Sequence, residues 1–406
     1  MSYNIHLPTP QPHTAAYEGI DILSGMPIRV DIADDLVSRV QPLSPGTKPQ
    51  DGKDVKALPY LCPGFIDLQV NGYAGIDYSS PGLDTPSIEK IIRAIGSSGT
   101  TRHLATIITG ARERITEGCG AIAKARKESA FARTAITGIH VEGPYISPLD
   151  GPRGAHDKKH VRNPDFEEFK EWQEAAEGLI RIVTLAPETE GAIEFIEKIT
   201  TLGVVASIGH TSATQERIRD AVAAGARLST HLGNGSNATM PRLRNYIWNQ
   251  LAEDRLSASI IGDGFHLPDD VLKVFSRAKG MERLILVSDV AFLAGSPPGP
   301  RSWGDISVEV HPDGHISLLG TEFLAGAGHL LDRCIARFAK ATGMSLPQTV
   351  ALCTANPARL LGLPKESLKF TMGTPACLTM FRPAQSGEEA LTVETCVING
   401  EVVYGR

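Results

Sequence analysis

Residues 204–232, VVASIGHTSATQERIRDAVAAGARLSTHL, contain two short apolar runs with a helical pattern between them. Val204–Ile208 and Arg227–Thr230 have the length and apolar content of buried strands, whereas Ala213–Ala224 repeats its apolar residues at helical spacing. Parallel strands need a crossover connection, which is usually a helix. A strand, a helix and a second strand in this order therefore predict a parallel βαβ unit.

The same alternation runs through the middle of the chain and predicts eight strands. They are Cys62–Val70, Thr101–Ile108, Ala135–Val141, Ile180–Leu185, Val204–Ile208, Arg227–Thr230, Ser257–Ile261 and Arg283–Val287. Helical patterns fill most of the gaps, at Ser87–Ser97, Arg112–Ser129, Phe166–Ala176, Gly191–Leu202, Ala213–Ala224 and Pro268–Ala278. Two more follow the eighth strand, at His329–Thr342 and Pro347–Leu361. This order predicts an α/β fold whose parallel sheet closes as a (β/α)8 TIM-type barrel. An open doubly wound sheet is the alternative, but no glycine fingerprint follows the first strand.

The two ends of the chain have a different, strand-rich pattern. Short apolar stretches broken by proline and glycine precede the barrel, and Asn399-Gly400 indicates a hairpin turn within Leu391–Tyr404. We therefore expect residues 1–57 and 366–406 to form one small β-sandwich domain. Residues 58–365 are the expected barrel domain.

Composition excludes several classes of protein. The 40 glycines and 27 prolines of the 406 residues are spread along the chain, which excludes wholesale disorder and fibrous architectures. A formal charge of −6 gives no support for a nucleic-acid or anionic-membrane partner. The six cysteines form no CxxC pair, which favours buried thiols over disulfides. No signal peptide or membrane-spanning apolar stretch is visible, so we expect a cytoplasmic enzyme.

Acids and histidines recur where the predicted strands end. Strands three, five, six and eight lead to Glu142, His210, His231 and Asp289 respectively. In a barrel these ends meet at one face, where catalytic residues lie. One carboxylate and two imidazoles are typical ligands of a catalytic metal, so we predict that Glu142, His210 and His231 bind one ion. The ion lowers the pKa of bound water toward ~7, and Asp289 is the predicted acceptor of its proton.

These residues also carry a resemblance to a known family. The ordered motifs resemble those of the amidohydrolase superfamily, and they are Pro63-Gly64-Phe65-Ile66-Asp67, His140–Tyr145, Gly209-His210-Thr211, Thr230-His231-Leu232 and Asp289. More narrowly, the chain between Leu58 and Met380 is similar to N-acetylglucosamine-6-phosphate deacetylases. The resemblance implies removal of acetyl from an N-acetyl amino sugar, first of all N-acetylglucosamine 6-phosphate, with release of the amine and acetate.

The resemblance implies roles for several further residues. His156 matches a family histidine that contacts the substrate carbonyl, and His266 matches one associated with the sugar phosphate. Gln69 and Asn71 stand where many members have His-x-His, and neutral amides are weak ligands, so one metal ion per subunit is expected. We expect zinc, with iron, manganese, cobalt and nickel as alternatives. The expected assembly is a homodimer.

The loop after strand six departs from the family pattern. Family members read Thr-His-Leu-aromatic-Asn-Ala-Met and then present an arginine to the phosphate, whereas this chain reads THLGNGSNATM from Thr230. Either Arg242 or Arg244 takes the place of that arginine. The candidate substrate contacts are Asn234, Gly235, Arg242, Arg244 and, from another loop, Arg153. An unphosphorylated or differently acylated amino sugar is therefore the alternative substrate, and a barrel scaffold without catalysis is the rival class of protein.

Overall fold

The computed structural model describes residues 14–43, 57–303 and 306–405. The strands within these ranges, numbered in chain order, are β1 (Thr14–Asp21), β2 (Pro27–Ala33), β3 (Leu36–Pro42), β4 (Tyr60–Cys62), β5 (Phe65–Val70), β6 (Gly72–Tyr73), β7 (Ile76–Asp77), β8 (Thr100–Ile108), β9 (Ile136–Glu142), β10 (Ile180–Leu185), β11 (Val205–Ile208), β12 (Leu228–Ser229), β13 (Ser257–Ile261), β14 (Leu284–Val287), β15 (Gly299–Trp303), β16 (Ile306–Val310), β17 (Ile316–Leu318), β18 (Leu378–Arg382), β19 (Thr392–Ile398) and β20 (Glu401–Gly405).

The helices of the described residues are numbered in the same way. They are α1 (Thr85–Ile95), α2 (Arg112–Glu128), α3 (Ala130–Ala135), α4 (Phe166–Ala175), α5 (Ala192–Thr201), α6 (Gln215–Ala223), α7 (Tyr246–Ala252), α8 (Asp269–Lys279), α9 (Leu331–Thr342), α10 (Leu346–Ala351) and α11 (Ala355–Leu360). Short 3-10 helices cover Gly96–Ser98, Lys158–His160 and Lys365–Leu368. Among these helices, none combines the length and the apolar character needed to cross a membrane.

Eight parallel strands form the central sheet, in the order β5, β8, β9, β10, β11, β12, β13 and β14. The first and last strands of this order also meet, because Val70 pairs with Val290 in parallel and the backbone N–H of Ser288 donates to Asp67. The sheet is therefore a nearly closed barrel. This confirms the predicted fold class and excludes the open doubly wound alternative. Each of the eight strands overlaps the range predicted for it.

The helices cover the barrel because each presents an apolar face to the strands. Helix α6, between β11 and β12, begins after Thr214, whose hydroxyl accepts a hydrogen bond from the backbone N–H of Arg217 over 3.4 Å. Its buried residues recur at helical spacing and are Ile218, Ala221 and Val222. The observed helix lies within the predicted range, which also includes the capping residue.

The two terminal segments meet in one small sheet domain. Its seven strands are hydrogen-bonded to one another in the order β20, β19, β18, β4, β1, β2 and β3. The strands of the expected β-sandwich therefore belong to one continuous sheet. Asn399 and Gly400 have φ of 51° and 77° between β19 and β20, as the predicted two-residue turn requires. Strand β4 runs into β5 through Pro63 and Gly64, which ties the sheet to the barrel. Residues 1–13 and 44–56 of the predicted domain lie outside the described residues.

One predicted helix is interrupted. The pattern over Pro347–Leu361 predicts a single helix, but α10 ends at Ala351 and α11 begins at Ala355. The carbonyls of Leu352 and Cys353 between them accept hydrogen bonds from the backbone N–H groups of Leu286 and Ile66, over 3.0 and 2.7 Å. The chain therefore leaves the helical path to bond to two barrel strands.

Candidate metal centre

Three candidate metal ligands converge at the carboxyl ends of barrel strands. Glu142 ends β9, and His210 and His231 each stand two residues after β11 and β12. Oε1 of Glu142 lies 3.2 Å from Nε2 of His210 and 2.8 Å from Nε2 of His231, and the ligand atoms all lie within 4.8 Å of one another. All three side chains are buried. One carboxylate oxygen and two imidazole nitrogens at this spacing fit a divalent metal ion.

Three residues of this region have a left-handed backbone although none of them is glycine. The φ angle is 50° at His210, 26° at His231 and 52° at Asp289. Such a conformation costs on the order of 1–3 kcal/mol and persists where the surrounding structure enforces it. It occurs here just after β11, β12 and β14 end, and strained residues of this kind cluster at functional sites.

The ring of His210 is held by the backbone carbonyl of Pro152 and by two glycines. Nδ1 lies 2.8 Å from the carbonyl oxygen of Pro152, which can only accept, so in the neutral ring Nε2 has the lone pair that a metal needs. Gly235 lies against the ring, since a Cβ there would come within 2.6 Å of Nδ1, and a Cβ at Gly154 would lie 3.4 Å from Cε1. The neighbouring Asn234 is half-buried. Gly235, predicted to contact substrate, thus packs on a candidate ligand.

The candidate ligands determine one another's charge. Burial opposes ionisation of Glu142, but its contacts with both imidazoles outweigh burial and hold the pKa of this carboxyl well below its usual range. Burial also disfavours the imidazolium of His231, yet the hydrogen bond to Glu142 raises the pKa of this ring. Nδ1 of His231 is buried and has no partner among the described residues. A bound cation would replace the shared protons, so metal binding at such a site releases protons.

Gln69 and Asn71 direct their amides at two acids. Nε2 of Gln69 donates to Oε1 of Glu142 over 2.9 Å, and Nδ2 of Asn71 donates to Oδ1 of Asp289 over 2.8 Å. A carboxylate can only accept, so the amide N–H groups face the acids. Both side chains therefore act as hydrogen-bond donors to acids of the site.

Asp289 is buried next to the candidate ligands. Burial, followed by the negative charge of Glu142, raises the pKa of its carboxyl to about 6. The sequence predicts that a nearby cation keeps Asp289 ionised, and an ion bound by Glu142 would act in that direction because opposite charge favours the carboxylate. A carboxyl whose pKa is raised toward neutrality is suited to accept a proton and return it.

His156 faces the candidate ligands from the loop after β9. Its Nε2 lies 3.3 Å from Nε2 of His210, with the two rings edge to face, and its Nδ1 lies 2.8 Å from Oγ1 of Thr109. Burial, followed by repulsion from His210, lowers the pKa of His156 to about 3. The ring is therefore neutral at pH 7.

His266 lies in the loop after β13 and interacts electrostatically with Asp289. Its side chain is 4% exposed, and its Nδ1 lies 2.8 Å from Oδ2 of Asp263. Burial opposes the charge of Asp263, but the hydrogen bond with His266 outweighs it and holds the pKa of this carboxyl well below its usual range. With Nδ1 engaged, Nε2 is the ring nitrogen left for a ligand.

The arginines predicted for an anion differ in their surroundings. Arg242 and Arg244 are exposed, and within the described part of the chain neither guanidinium hydrogen-bonds to a candidate metal ligand. Arg153 lies closer to the centre, where one of its N–H groups donates to the carbonyl of His156 over 2.7 Å. It also pairs with Asp150 over 2.5 Å. Of the three guanidinium groups, that of Arg153 alone hydrogen-bonds to a residue of the site in the part of the chain that the structure describes.

Sequence reasoning gave no role to two polar residues beside the site, Thr109 and the Asp67 of the family motif. Thr109 follows β8 and holds the ring of His156. Asp67 is buried in β5, accepts hydrogen bonds from N–H and Oγ of Ser288 over 3.2 and 2.5 Å, and thereby supports the backbone next to Asp289. Burial raises the pKa of Asp67 to about 7. A charged residue within the apolar strand FIDLQV was the signal for Asp67, whereas a lone threonine gives no such signal.

A chain of hydrogen bonds begins within the barrel at His140, which is buried in β9 two residues before Glu142. Nδ1 of His140 lies 3.1 Å from the carbonyl oxygen of Leu68, and Nε2 lies 2.7 Å from Oγ1 of Thr184. The hydroxyl of Thr184 contacts that of Thr230 over 2.7 Å, and Thr230 contacts Ser207 over 2.5 Å. The chain links neighbouring strands and supports the residue that precedes the second histidine ligand.

A family model described as the amidohydrolase family matches residues 60–403. The chain belongs to the amidohydrolase family. This agrees with the resemblance carried by the strand-end motifs, and the match includes the whole barrel, β18, β19 and the start of β20. The protein is therefore a hydrolase of this family, and the buried Glu142, His210 and His231 are its candidate metal ligands.

This amidohydrolase has curated relatives and solved structural neighbours that are named as deacetylases. The N-acetylglucosamine-6-phosphate deacetylase of Bacillus subtilis (strain 168) is 34% identical over 322 residues, covering 79% of this chain and 80% of the relative. The N-acetylgalactosamine-6-phosphate deacetylase of Escherichia coli O157:H7 is 26% identical over 332 residues, covering 82% and 84%. A mutant of the Mycobacterium smegmatis N-acetyl-D-glucosamine-6-phosphate deacetylase, solved in complex with N-acetyl-D-glucosamine-6-phosphate, is 27% identical, covers 96% of this chain and 99% of that chain, and has a TM-score of 0.82.

Proposed function

We propose that this amidohydrolase deacetylates N-acetylglucosamine 6-phosphate to glucosamine 6-phosphate and acetate with the help of one divalent metal ion. The observation that carries the proposal is the convergence of Oε1 of Glu142 with Nε2 of His210 and Nε2 of His231 at the mouth of the barrel. The names of the Bacillus and Mycobacterium relatives support the choice of substrate.

Glu142, His210 and His231 would hold the ion. When bound, the ion supplies Lewis-acid activation of water and of the amide carbonyl. Zinc is the first choice for this ligand set, and iron, manganese, cobalt and nickel are the alternatives. Elemental analysis of the purified protein, followed by chelation and reconstitution with each ion, tests both the requirement and the identity of the metal.

Asp289 is the proposed proton carrier. As a carboxylate it accepts a proton from the attacking water, and it returns that proton to the amide nitrogen as the C–N bond breaks. The water oxygen remains in the acetate and the sugar leaves as the amine. Because Asn71 donates to Oδ1, Oδ2 is the oxygen left for this transfer.

The remaining predicted residues are assigned to binding the substrate. His156 donates from Nε2 to the oxygen of the amide carbonyl, where negative charge develops in the transition state. Nε2 of His266 and the side chain of Asn234 face the sugar. For the phosphate, Arg153 is preferred to Arg242 and Arg244, because among the three guanidinium groups only that of Arg153 hydrogen-bonds to a residue of the site within the described ranges.

The substrate is tested by comparing kcat/KM for N-acetylglucosamine 6-phosphate, for the unphosphorylated sugar and for N-acetylgalactosamine 6-phosphate. We expect the first compound to be preferred, because the phosphate adds charged contacts. Equal or reversed preference for the unphosphorylated sugar would favour the alternative substrate that the altered loop at residues 233–245 suggests. The galactosamine compound tests the epimer, since the Escherichia coli relative is named for it.

A homodimer and a cytoplasmic location complete the proposal, and they rest on the family resemblance and on the sequence. Light scattering of the purified protein tests the first, and cell fractionation tests the second. A protein without bound metal, and without activity after metal is added, would instead favour the barrel scaffold.

A further inference from the structure

The ring of His156 has a hydrogen-bonding neighbour at each of its two nitrogens. In a neutral imidazole one nitrogen carries the proton and the other accepts a hydrogen bond. To donate to a substrate carbonyl, His156 must carry its proton on Nε2, which faces His210 over 3.3 Å. Nδ1 must then accept a hydrogen bond from its partner, the hydroxyl of Thr109, at 2.8 Å.

The Thr109 hydroxyl has two neighbours to which its single hydrogen can point. Oγ1 lies 2.8 Å from Nδ1 of His156 but 3.5 Å from the backbone carbonyl oxygen of Glu142. Hydrogen bonds of hydroxyl groups are strongest at about 2.5–3.0 Å, so the contact with the imidazole is the stronger of the two, whichever group donates. When the imidazole proton is on Nε2, Thr109 is the donor in this contact, and its hydrogen turns away from the Glu142 carbonyl.

The neighbouring metal ligand leaves room for this assignment. Nδ1 of His210 donates to the carbonyl oxygen of Pro152 over 2.8 Å. A His210 that binds a metal has no hydrogen on Nε2 and no free lone pair there, because a metal-binding imidazole is neutral. It therefore neither donates to nor accepts from Nε2 of His156, whose hydrogen is left for the substrate carbonyl.

The backbone leaves room for this hydroxyl. Thr109 is buried just after β8 ends. The residue that packs over it is Gly143, where φ is 74° and a Cβ would lie 2.2 Å from Oγ1 of Thr109. Any larger residue in place of Gly143 would push the hydroxyl away from the imidazole.

We propose that Thr109 is a positioning residue, whose hydroxyl donates to Nδ1 of His156 and so keeps the imidazole proton on Nε2, directed at the substrate carbonyl. Its catalytic consequence rests on the proposed function, whereas the position of the proton can be measured without turnover. Strand β8, which ends just before Thr109, thereby contributes to a site whose residues the sequence placed at the ends of other strands.

The matched pair Thr109→Val and Thr109→Ser separates the hydrogen bond from packing. Valine replaces the hydroxyl by a methyl group of similar size, and serine keeps the hydroxyl. In the zinc-loaded protein with isotope-labelled histidine, long-range proton–nitrogen NMR identifies the protonated nitrogen of each ring, and His156→Asn identifies the signals of His156. We expect the Nε2 form in the wild type and in Thr109→Ser, and a mixture of both forms in Thr109→Val.

In turnover assays we expect Thr109→Val to lower kcat about tenfold or more, with KM and metal content little changed, and Thr109→Ser to recover most of the rate. The Nδ1 form of His156 in the wild type, or a wild-type kcat in Thr109→Val, would overturn the proposal. If Thr109→Val fails to fold, the spectra of the wild type and of Thr109→Ser still show which ring nitrogen of His156 carries the proton. The Nε2 form in a wild type that is inactive on every sugar supports the proton assignment and overturns only the proposed function.

Discussion

Asn71 and Asp289 are joined by a hydrogen bond of 2.8 Å from Nδ2 to Oδ1, at the seam between the first and last strands of the barrel. Burial is the main reason why the pKa of Asp289 is raised to about 6, and the Asn71 donor opposes it because a hydrogen bond to a carboxylate favours the charged form. Asn71, which follows the first barrel strand, therefore lowers the pKa of Asp289, which follows the last barrel strand.

We expect kcat/KM to fall as the pH decreases through the pKa of Asp289. The acid must be ionised to accept a proton, so activity is present above this pKa and lost below it. Burial raises the pKa of the carboxyl to about 6, and a bound cation would lower it again. The acid limb of the kcat/KM profile is therefore expected at or below that pH. Asn71→Leu should move the limb to higher pH in a kcat/KM profile. An unmoved limb would show that the amide does not act on Asp289.

Asp289→Asn should retain the metal and lose turnover. Because the amide has similar size but cannot accept the proton, we expect kcat to fall by about 10²–10⁴-fold. Elemental analysis and single-turnover rates measure the two effects separately. The control is Asp270→Asn, since the side chain of Asp270 is 94% exposed. A rate close to wild type in Asp289→Asn would remove Asp289 from the mechanism.

His210→Ala and His231→Ala should each weaken metal binding by at least about 10–100-fold, because each removes one of three protein ligands. Titration of the metal-free protein with zinc measures the change. His103→Gln is the matched control, since His103 is also fully buried but its Nε2 contacts Tyr78 over 2.8 Å. Full metal occupancy in both alanine variants would refute the ligand set.

Gly235→Ala should weaken metal binding, because its Cβ would lie 2.6 Å from Nδ1 of His210. The matched control is Gly82→Ala, where φ is 66°, against 54° at Gly235, and no atom lies within 4 Å of the added Cβ. Both substitutions force alanine into the left-handed region at a cost of about 1–2 kcal/mol. We expect both variants to lose a similar amount of Tm, and only Gly235→Ala to bind zinc more weakly. Equal zinc affinity in the two variants would contradict a role of Gly235 in holding His210.

Most of the barrel could be predicted because strand length and helical periodicity are local properties of the chain. The order of acids and histidines at the strand ends was informative for a related reason, since parallel strands of a barrel end at one face. The interruption between α10 and α11 could not be predicted. It depends on hydrogen bonds that the carbonyls of Leu352 and Cys353 accept from distant barrel strands, and no local pattern contains these bonds.

The sequence by itself determined the family, the alternation that closes into a barrel, and Glu142, His210, His231 and Asp289 as the residues at its strand ends. Only the tertiary structure decided which atoms meet. Asn71 and Asp289 are 218 positions apart, and Thr109 and His156 are 47 positions apart, so their hydrogen bonds exist only once the strands are packed. The physical reason is that a hydrogen bond depends on the distance and direction between two side chains, which tertiary packing sets and which the type of either residue does not specify.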